Sequence, residues 1–279
     1  MMIKGSLRGL VLESICIKIY AILWLHLTRL HRYKYGFLNM IVTDMIWYLL
    51  FMLGTLTFIP SEDFKTMAVI TFWGVALWSS MNNTVWIVGN WIRFLLEIGI
   101  VEEHIVRNTN PMTLIAGRII TATIVTIVAI PVVGIIYFKL TGINIFKISN
   151  PFYLLVSFVL IMLYALLYSL ILSSIGLRLR IPGIMLDVLN IVVYIIGGIG
   201  VPLTKMPSQM RIIAFLIPYT YAAELERYGA TGLTPLLGLG KTIVFGTLYL
   251  IVLLMISILI IRYSTHYVRK YGVKAIGAM

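Results

Sequence analysis

Apolar residues run in long blocks along this 279-residue chain, and polar residues are largely confined to the short stretches between them. The blocks cover residues 37–58, 67–88, 114–138, 152–175, 184–196 and 243–261, and the fifth runs on into a stretch broken by glycine and proline. A bilayer core roughly 30 Å thick asks for about 20 apolar residues per crossing helix, so the pattern predicts an all-α integral membrane protein with six transmembrane helices. Residues 1–36 are expected to form a separate N-terminal unit, and residues 37–279 the transmembrane domain. Within the first unit the apolar middle, 15–25, is interrupted by Lys18 and is short for a span, which suits an amphipathic helix lying along the inner membrane surface. Tyr20 and Trp24 fit the headgroup zone, and Arg29, His31, Arg32 and Lys34 are placed to meet anionic lipids. The rival is a seventh span over 11–27, which takes Glu13 and Lys18 into lipid at a cost of a few kcal/mol each.

Composition strengthens the membrane assignment: 61% of residues are hydrophobic and mean hydropathy is +1.01, far from the range of soluble domains. The net charge of +12 would suit a nucleic-acid partner, but the basic residues sit at the ends of the apolar blocks. With both termini cytoplasmic, 15 of the 22 Lys and Arg fall inside and 7 outside, as the positive-inside rule asks. Nucleic acid is therefore not expected as a partner, and membrane lipids are. Lys4 and Arg8 precede an apolar stretch, but no small-residue cleavage site follows, so the N-terminus is expected to be retained. Cys16 is the sole cysteine, which removes intrachain disulfides and thiolate metal clusters from consideration.

The fifth block is the least regular. Gly197, Gly198, Gly200, Pro202, Pro207 and Pro218 interrupt it, because proline cannot continue a helix and glycine lets the chain reverse. Backbone left without intrahelical bonds is tolerated at membrane depth only where protein buries it or water reaches it, so this stretch points to a conduit and to transport. An ordinary external loop accounts poorly for the apolar run 210–217 that follows. Residues 91–110 mix large apolar residues with Glu97, Glu102, Glu103, His104 and Arg107, and read as an amphipathic helix bent at Gly99. It is either a surface bridge between two spans or a coupling helix that docks into an ATPase subunit.

Chemistry that would make the chain an enzyme is missing from its motifs. Residues 235–242, PLLGLGKT, imitate the end of a phosphate-binding loop, but Pro235 stands where the first glycine belongs and no strand precedes it. His26, His31, His104 and His266 lack metal-ligand spacing, and no serine sits in a nucleophile elbow. The polar groups inside the blocks are the remaining candidates for a pathway, since a charge near the bilayer centre costs on the order of 3 kcal/mol. They are Asp44, Asn82, Asn83, Asp187 and Asn190. Each has a structural reading too: the asparagines as interhelical hydrogen-bonding groups, Asp187 as an acid near a helix start. Glu224 and Arg227 are spaced to pair on one helical face, near Glu226 and Tyr221. Trp47, Trp73, Trp78, Trp86, Tyr164 and Tyr168 are expected mainly in packing, with some lining an amphipathic cavity.

In these features, and over nearly its whole length, the chain resembles the permease subunits of type-2 ATP-binding-cassette exporters. Gly99 and Glu102 match that family's acidic Gly-x-x-Glu element, although Pro111 lies farther along than its usual closing proline. Gly197 and Gly198, then Pro202, Pro207 and Pro218, then Tyr221 and Glu224 fall in the family order. The resemblance implies a coupling region over 91–113 with Glu97, Gly99, Glu102, Glu103 and Arg107 facing the ATPase. It implies a re-entrant helical pair over 197–226 that gates the outer side. It also implies dimerisation with a second copy or a homologous permease, and two cytosolic ATPase subunits that hold ATP and Mg, leaving no cofactor on this chain. Outward transport of a drug, lipid, glycolipid or peptide across the plasma membrane follows from the resemblance alone. The alternative is an ion-coupled secondary transporter using Asp44 or Asp187.

Overall fold

Lipid offers the backbone no hydrogen-bonding partners, and the computed structural model answers that constraint with helices throughout its described residues, 17, 19–57, 64–107, 110–177 and 183–272. Helix α1 covers 19–32 and passes through a single turn residue, Tyr33, into α2 (Lys34–Leu56). Helix α3 (Phe64–Thr84) widens into a π-helical turn, Val85–Gly89, and leads to α4 (Trp91–Glu97) and α5 (Ile100–Val106). Short α6 (Pro111–Ala116) runs almost directly into α7 (Ile119–Thr141), and α8 (Pro151–Gly176) follows. Helix α9 (Gly183–Ile196), a 3-10 turn at Leu203–Lys205, α10 (Ser208–Phe215) and α11 (Tyr219–Thr231) lead to the long α12 (Leu239–Tyr271).

Four helical stretches are long and apolar enough to cross a membrane: Lys34–Gly54, Pro111–Thr141, Pro151–Gly176 and Leu239–Tyr271. A fifth is added if the bent pair Phe64–Leu96 and Ile100–Val106, which turns through 81°, counts as one span. The remaining predicted block is α9, whose 14 residues extend only about 21 Å at 1.5 Å per residue before Gly197 ends the helix. The other predicted blocks coincide with helices to within a few residues, except that α12 is 33 residues long and extends well past the apolar run 243–261.

Helix α8 is central, with α11, α12, α3 and the π-helical turn packed against it. Its small buried residues make this close packing feasible. Ser157 donates to Leu154 O at 2.7 Å, Ser169 to Ala165 O at 2.6 Å and Ser174 to Leu170 O at 2.7 Å, so hydroxyls facing other helices are satisfied within α8 itself. Between helices, Tyr164 donates its hydroxyl to Gly246 O of α12 at 2.6 Å, and Tyr48 of α2 donates to Phe72 O of α3 at 3.0 Å. Trp73 Nε1 reaches Ile145 O at 3.1 Å. Apolar side chains of α12 such as Val244, Leu248, Ile251 and Leu259 stay exposed, as lipid contact demands.

Two glycines fix how closely helices approach. A Cβ on Gly229 of α11 would stand 2.5 Å from Leu154 N and 2.7 Å from Leu154 Cα. A Cβ on Gly74 of α3 would stand 2.7 Å from Ile199 O, which places α3 directly against the glycine break. Both obstructions are backbone, so neither can be relieved by rotating a side chain. Gly229→Ala is expected to cost about 1–3 kcal/mol, read as a lower melting temperature of the detergent-purified chain. Gly36→Ala, where nothing lies within 4 Å, is expected to leave it unchanged.

Candidate functional site

A cavity of about 660 Å3 opens where α2, α3 with its π-helical turn, and α9 meet. From α2 it takes Asn39, Thr43, Trp47 and Phe51, which recur at helical spacing and so share one face. From α3 and the turn it takes Trp78, Ser79, Asn82, Asn83, Trp86 and Ile87, and from α9 it takes Asn190 and Ile191. Three residues predicted as pathway candidates thus come together: Asn82, Asn83 and Asn190. Asn190 Nδ2 donates to Asn82 Oδ1 at 2.7 Å, joining α9 to α3 across the cavity wall, and Trp78 Nε1 lies 3.4 Å from Asn190 O. Asn83 Nδ2 donates to Ser79 Oγ at 3.4 Å. The asparagines therefore hold helices together and line the cavity at once. Asp44 and Asp187 belong to α2 and α9, but their side chains lie outside the described residues.

The π-helical turn shapes this cavity. Widening the helix by one residue per turn displaces carbonyls from their usual partners and swings Trp86 and Ile87 into the lining. Neighbouring helices meet two of those carbonyls: Arg118 Nε is 3.5 Å from Ile87 O, and Ser173 Oγ is 3.4 Å from Gly89 O. Beside the cavity, Phe51, Trp78 and Tyr194 form a mutual aromatic cluster with centroid separations of 4.6, 5.4 and 5.9 Å. Tyr194 and Gly74 were absent from the sequence-level candidates. The helical recurrence of Asn39, Thr43 and Trp47 in α2 was a readable signal that went unused.

At the glycine break, Gly198 adopts a left-handed conformation, φ 75°, and the chain turns back through Pro202. Pro207 and Pro218 stand at the N-caps of α10 and α11, where a missing N–H costs nothing. Side chains cap the junction between these helices: Thr220 donates to Ala214 O at 2.6 Å, and Tyr221 and Tyr249 both reach Phe215 O, at 2.8 and 3.4 Å. Glu224 pairs with Arg227 as their spacing predicted, yet the pair is buried rather than on a surface, and the second carboxyl oxygen accepts from Leu236 N at 2.8 Å. Glu226 is fully buried with neither oxygen hydrogen-bonded. Burial pushes its carboxyl up to about 8, against the pull of the Arg227 guanidinium and with the push of Glu224.

Beyond α3 and its π-helical turn, Gly99 (φ 71°) makes the bend between α4 and α5 that the sequence predicted. Val101, Leu95 and Ile92 bury the inner side of this elbow against Val88, Met112, Ile115 and Leu177. Its outer side exposes Ile98, Val106, Glu103 and Arg107, the last two joined at 2.6 Å in a pair too solvated to add much stability. Both oxygens of Glu102 are buried without a hydrogen bond, and the Glu97 side chain lies outside the described residues. Pro111 opens α6 at N1, with Asn110 Oδ1 accepting from Met112 N at 3.0 Å. No group of histidine, cysteine and acidic side chains suited to a metal ion occurs among the described residues.

A cavity whose described lining carries no charged side chain, a helix ended by glycine and proline, and an amphipathic elbow beyond the second long helix are set in a bundle with four to five candidate membrane spans. A family model described as ABC-2 type transporter matches residues 17–231, most of the chain. The chain belongs to that family. It is the permease component of a type-2 ABC transporter, a membrane subunit whose family implies an ABC ATPase as partner. A search among curated proteins gives no match. The matched region takes in α1, the cavity, the α4–α5 elbow and the whole of α10 and α11, while Leu236 and Tyr249, which contact α11 and the end of α10, lie beyond it.

The ionisable groups of α11 generate a pH-dependent expectation. The folded chain keeps a proton on Glu226 that the unfolded chain releases, so the contribution of this group to stability falls as pH rises from 4.5 to about 8. Glu226→Gln is expected to remove that slope from the melting temperature measured across this window. Glu224→Gln leaves Arg227 buried without its partner and is expected to cost about 3–5 kcal/mol.

Proposed function

We propose that this permease moves an amphipathic, largely uncharged molecule outward through the cavity between α2, α3 and α9, driven by separate cytosolic ATPase subunits. The observation that carries the reading is the chemistry of the lining. Asparagine amides and Thr43 offer hydrogen bonds, Trp47, Phe51, Trp78 and Trp86 offer aromatic faces, and no charged side chain is among the described lining residues. A bare charge entering such a site would lose its hydration without compensation, whereas hydroxyls, carbonyls and apolar surface are all accommodated. A volume of about 660 Å3 falls in the range of sites for drug-sized molecules. Drug-like compounds, lipids, glycolipids and short peptides meet these terms.

In this reading α9 is one of six spans and reaches the outer side through its glycine break. Helices α10 and α11 then dip back as a re-entrant pair that caps the pathway, hinged at Gly197, Gly198, Pro202, Pro207 and Pro218. Exposed Ile212, Ile213 and Leu216 on and just after α10 support contact with lipid or with a second permease copy. Both termini are cytoplasmic, and the protein resides in the plasma membrane. The α4–α5 elbow is the coupling helix, with Ile98 and Val106 as apolar contacts and Glu103 and Arg107 as charged ones. Two permeases, identical or homologous, build the pathway, and ATP with Mg binds at the interface of two partner ATPases. ATP binding would push the elbow, and α3, which is continuous with it, would carry that movement to the π-helical turn and the cavity.

Reconstituted with its ATPase in proteoliposomes, the complex is expected to transport cargo only with ATP. Trp47→Ala and Asn82→Leu should each weaken cargo-stimulated ATP hydrolysis by about 3- to 30-fold in half-maximal cargo concentration, the equivalent of losing an aromatic contact or a buried hydrogen bond. Asp44→Asn and Asp187→Asn should leave ATP-driven transport at least partly intact, and complete loss with hydrolysis unchanged would favour ion coupling instead. Ile98→Asp together with Val106→Asp should reduce the amount of ATPase subunit that co-purifies with the permease.

A further inference from the structure

A second polar cluster lies where α1 crosses the α6–α7 junction. Arg29 of α1 and Arg118 at the start of α7 both place their guanidinium groups over the ring of Trp91, 4.0 and 4.1 Å from its centre. The two cations are therefore no more than about 8 Å apart. Neither forms an ion pair among the described residues, and the one side-chain hydrogen bond between them is the 3.5 Å contact of Arg118 Nε with Ile87 O. Beside them His26 is 2% exposed, and neither of its ring nitrogens makes a full hydrogen bond, with the Leu114 backbone the polar group nearby. Burial and the two neighbouring guanidinium groups hold His26 down at about 4, so the ring is neutral at pH 7 and keeps one N–H to donate. Gly117 makes room for this contact, since a Cβ there would meet Ile22 Cγ2 at 2.4 Å and His26 Nε2 at 2.9 Å.

Two like charges held this close repel unless an anion or water lies between them. The aromatic ring offsets part of the repulsion but leaves most guanidinium N–H groups without a partner. We propose that Arg29, Arg118 and His26 form a binding site for a phosphate group. A phosphate gripped by one guanidinium through paired N–H groups meets the second directly or through a bridging water at the rim of the Trp91 ring. The exposed apolar residues of α1, among them Tyr20, Leu23, Trp24 and Leu27, put the site beside lipid. An anionic phospholipid headgroup is then the nearest carrier, and a free phosphate the other. Bound phosphate would pin α1 to the start of α7, and through Arg118 it would act on Ile87, whose side chain lines the cavity. The site thus links the composition of the lipid to the shape of the translocation cavity.

The test uses the full-length chain in detergent, titrated with dioctanoyl phosphatidylglycerol, dioctanoylglycerol or inorganic phosphate, with binding read by native mass spectrometry and thermal shift. Saturable binding of the phosphatidylglycerol but not of dioctanoylglycerol is expected. Arg29→Gln and Arg118→Gln should each weaken it by about 10-fold or more, as loss of a charge-assisted hydrogen bond requires. Arg29→Lys should restore part of the affinity, and Arg262→Gln on α12 should change nothing. Arginine-dependent binding of inorganic phosphate at similar affinity would support the site and make the free anion its ligand. Equal binding of both lipids, or wild-type affinity in a folded Arg29→Gln variant, would overturn the proposal. Because Arg29 lies outside the candidate spans, its variant keeps the test valid should Arg118→Gln fail to fold.

Discussion

A backbone amide or carbonyl in a lipid-embedded protein has to find its partner within the protein, and the architecture around both irregular segments of this chain follows from that requirement. The π-helical turn in α3 and the glycine–proline break after α9 each release carbonyls from the helical ladder. Side chains from other helices take up the slack at the turn, through Arg118 and Ser173, and at the α10–α11 junction that closes the broken stretch, through Tyr221, Tyr249 and Thr220. The donors are small, aromatic or cationic residues that reach across a helix interface. An irregularity is thereby converted into a tertiary contact. Helix α8 shows the complementary strategy, with serines that satisfy themselves and leave its surface free for close packing.

The cavity sits against both irregularities. Trp86 and Ile87 enter its lining from the π-helical turn, and Asn190 enters from the last two turns of α9, just before the break. Gly74 brings α3 against Ile199 within the break, so the two irregular segments share a helix as well as a cavity. The Asn82–Asn190 hydrogen bond closes this arrangement on its polar side, and the Phe51, Trp78 and Tyr194 cluster closes it on its apolar side. Movement of α9 relative to α3 has to exchange that amide pair for other partners, which gives the cavity a defined set of contacts to break.

Much of this was legible in the chain because lipid imposes a strong pattern. Block lengths located α2, α3, α7, α8 and α12 to within a few residues at most of their ends, and proline and glycine located the break and the caps of α10 and α11. Gly99 was readable as a bend because a glycine inside an amphipathic helix has few other uses. What escaped the sequence depends on distances between segments far apart in the chain. The π-helical turn at Val85–Gly89 leaves no mark, since its residues suit an α-helix equally well. Spacing predicted the Glu224–Arg227 pair but not its burial, because α8, α3 and α12 cover α11 only once the whole bundle assembles. Asn82 and Asn190, 108 residues apart, were each read as polar groups in a span, and only the fold makes them partners.

Helix α11 buries an ion pair and a further carboxyl together. A buried Glu–Arg pair is weak evidence of stability, since desolvating both ions offsets most of their attraction. Here the remaining oxygen of Glu224 binds the Leu236 amide, which ties the pair to the loop that leads into α12. Glu226 sits beside the pair without a partner of its own, and burial favours its neutral form. If Glu226 ionised, the unpaired Nε and Nη2 of Arg227 would be the nearest cationic donors on α11, and meeting them would require the helix to rearrange. The arrangement that α11 adopts is the one suited to a neutral Glu226. Gly229 on the same helix lies against the backbone of α8 at Leu154, so the close packing there opposes any rotation of α11 that pairing a charged Glu226 with Arg227 would need.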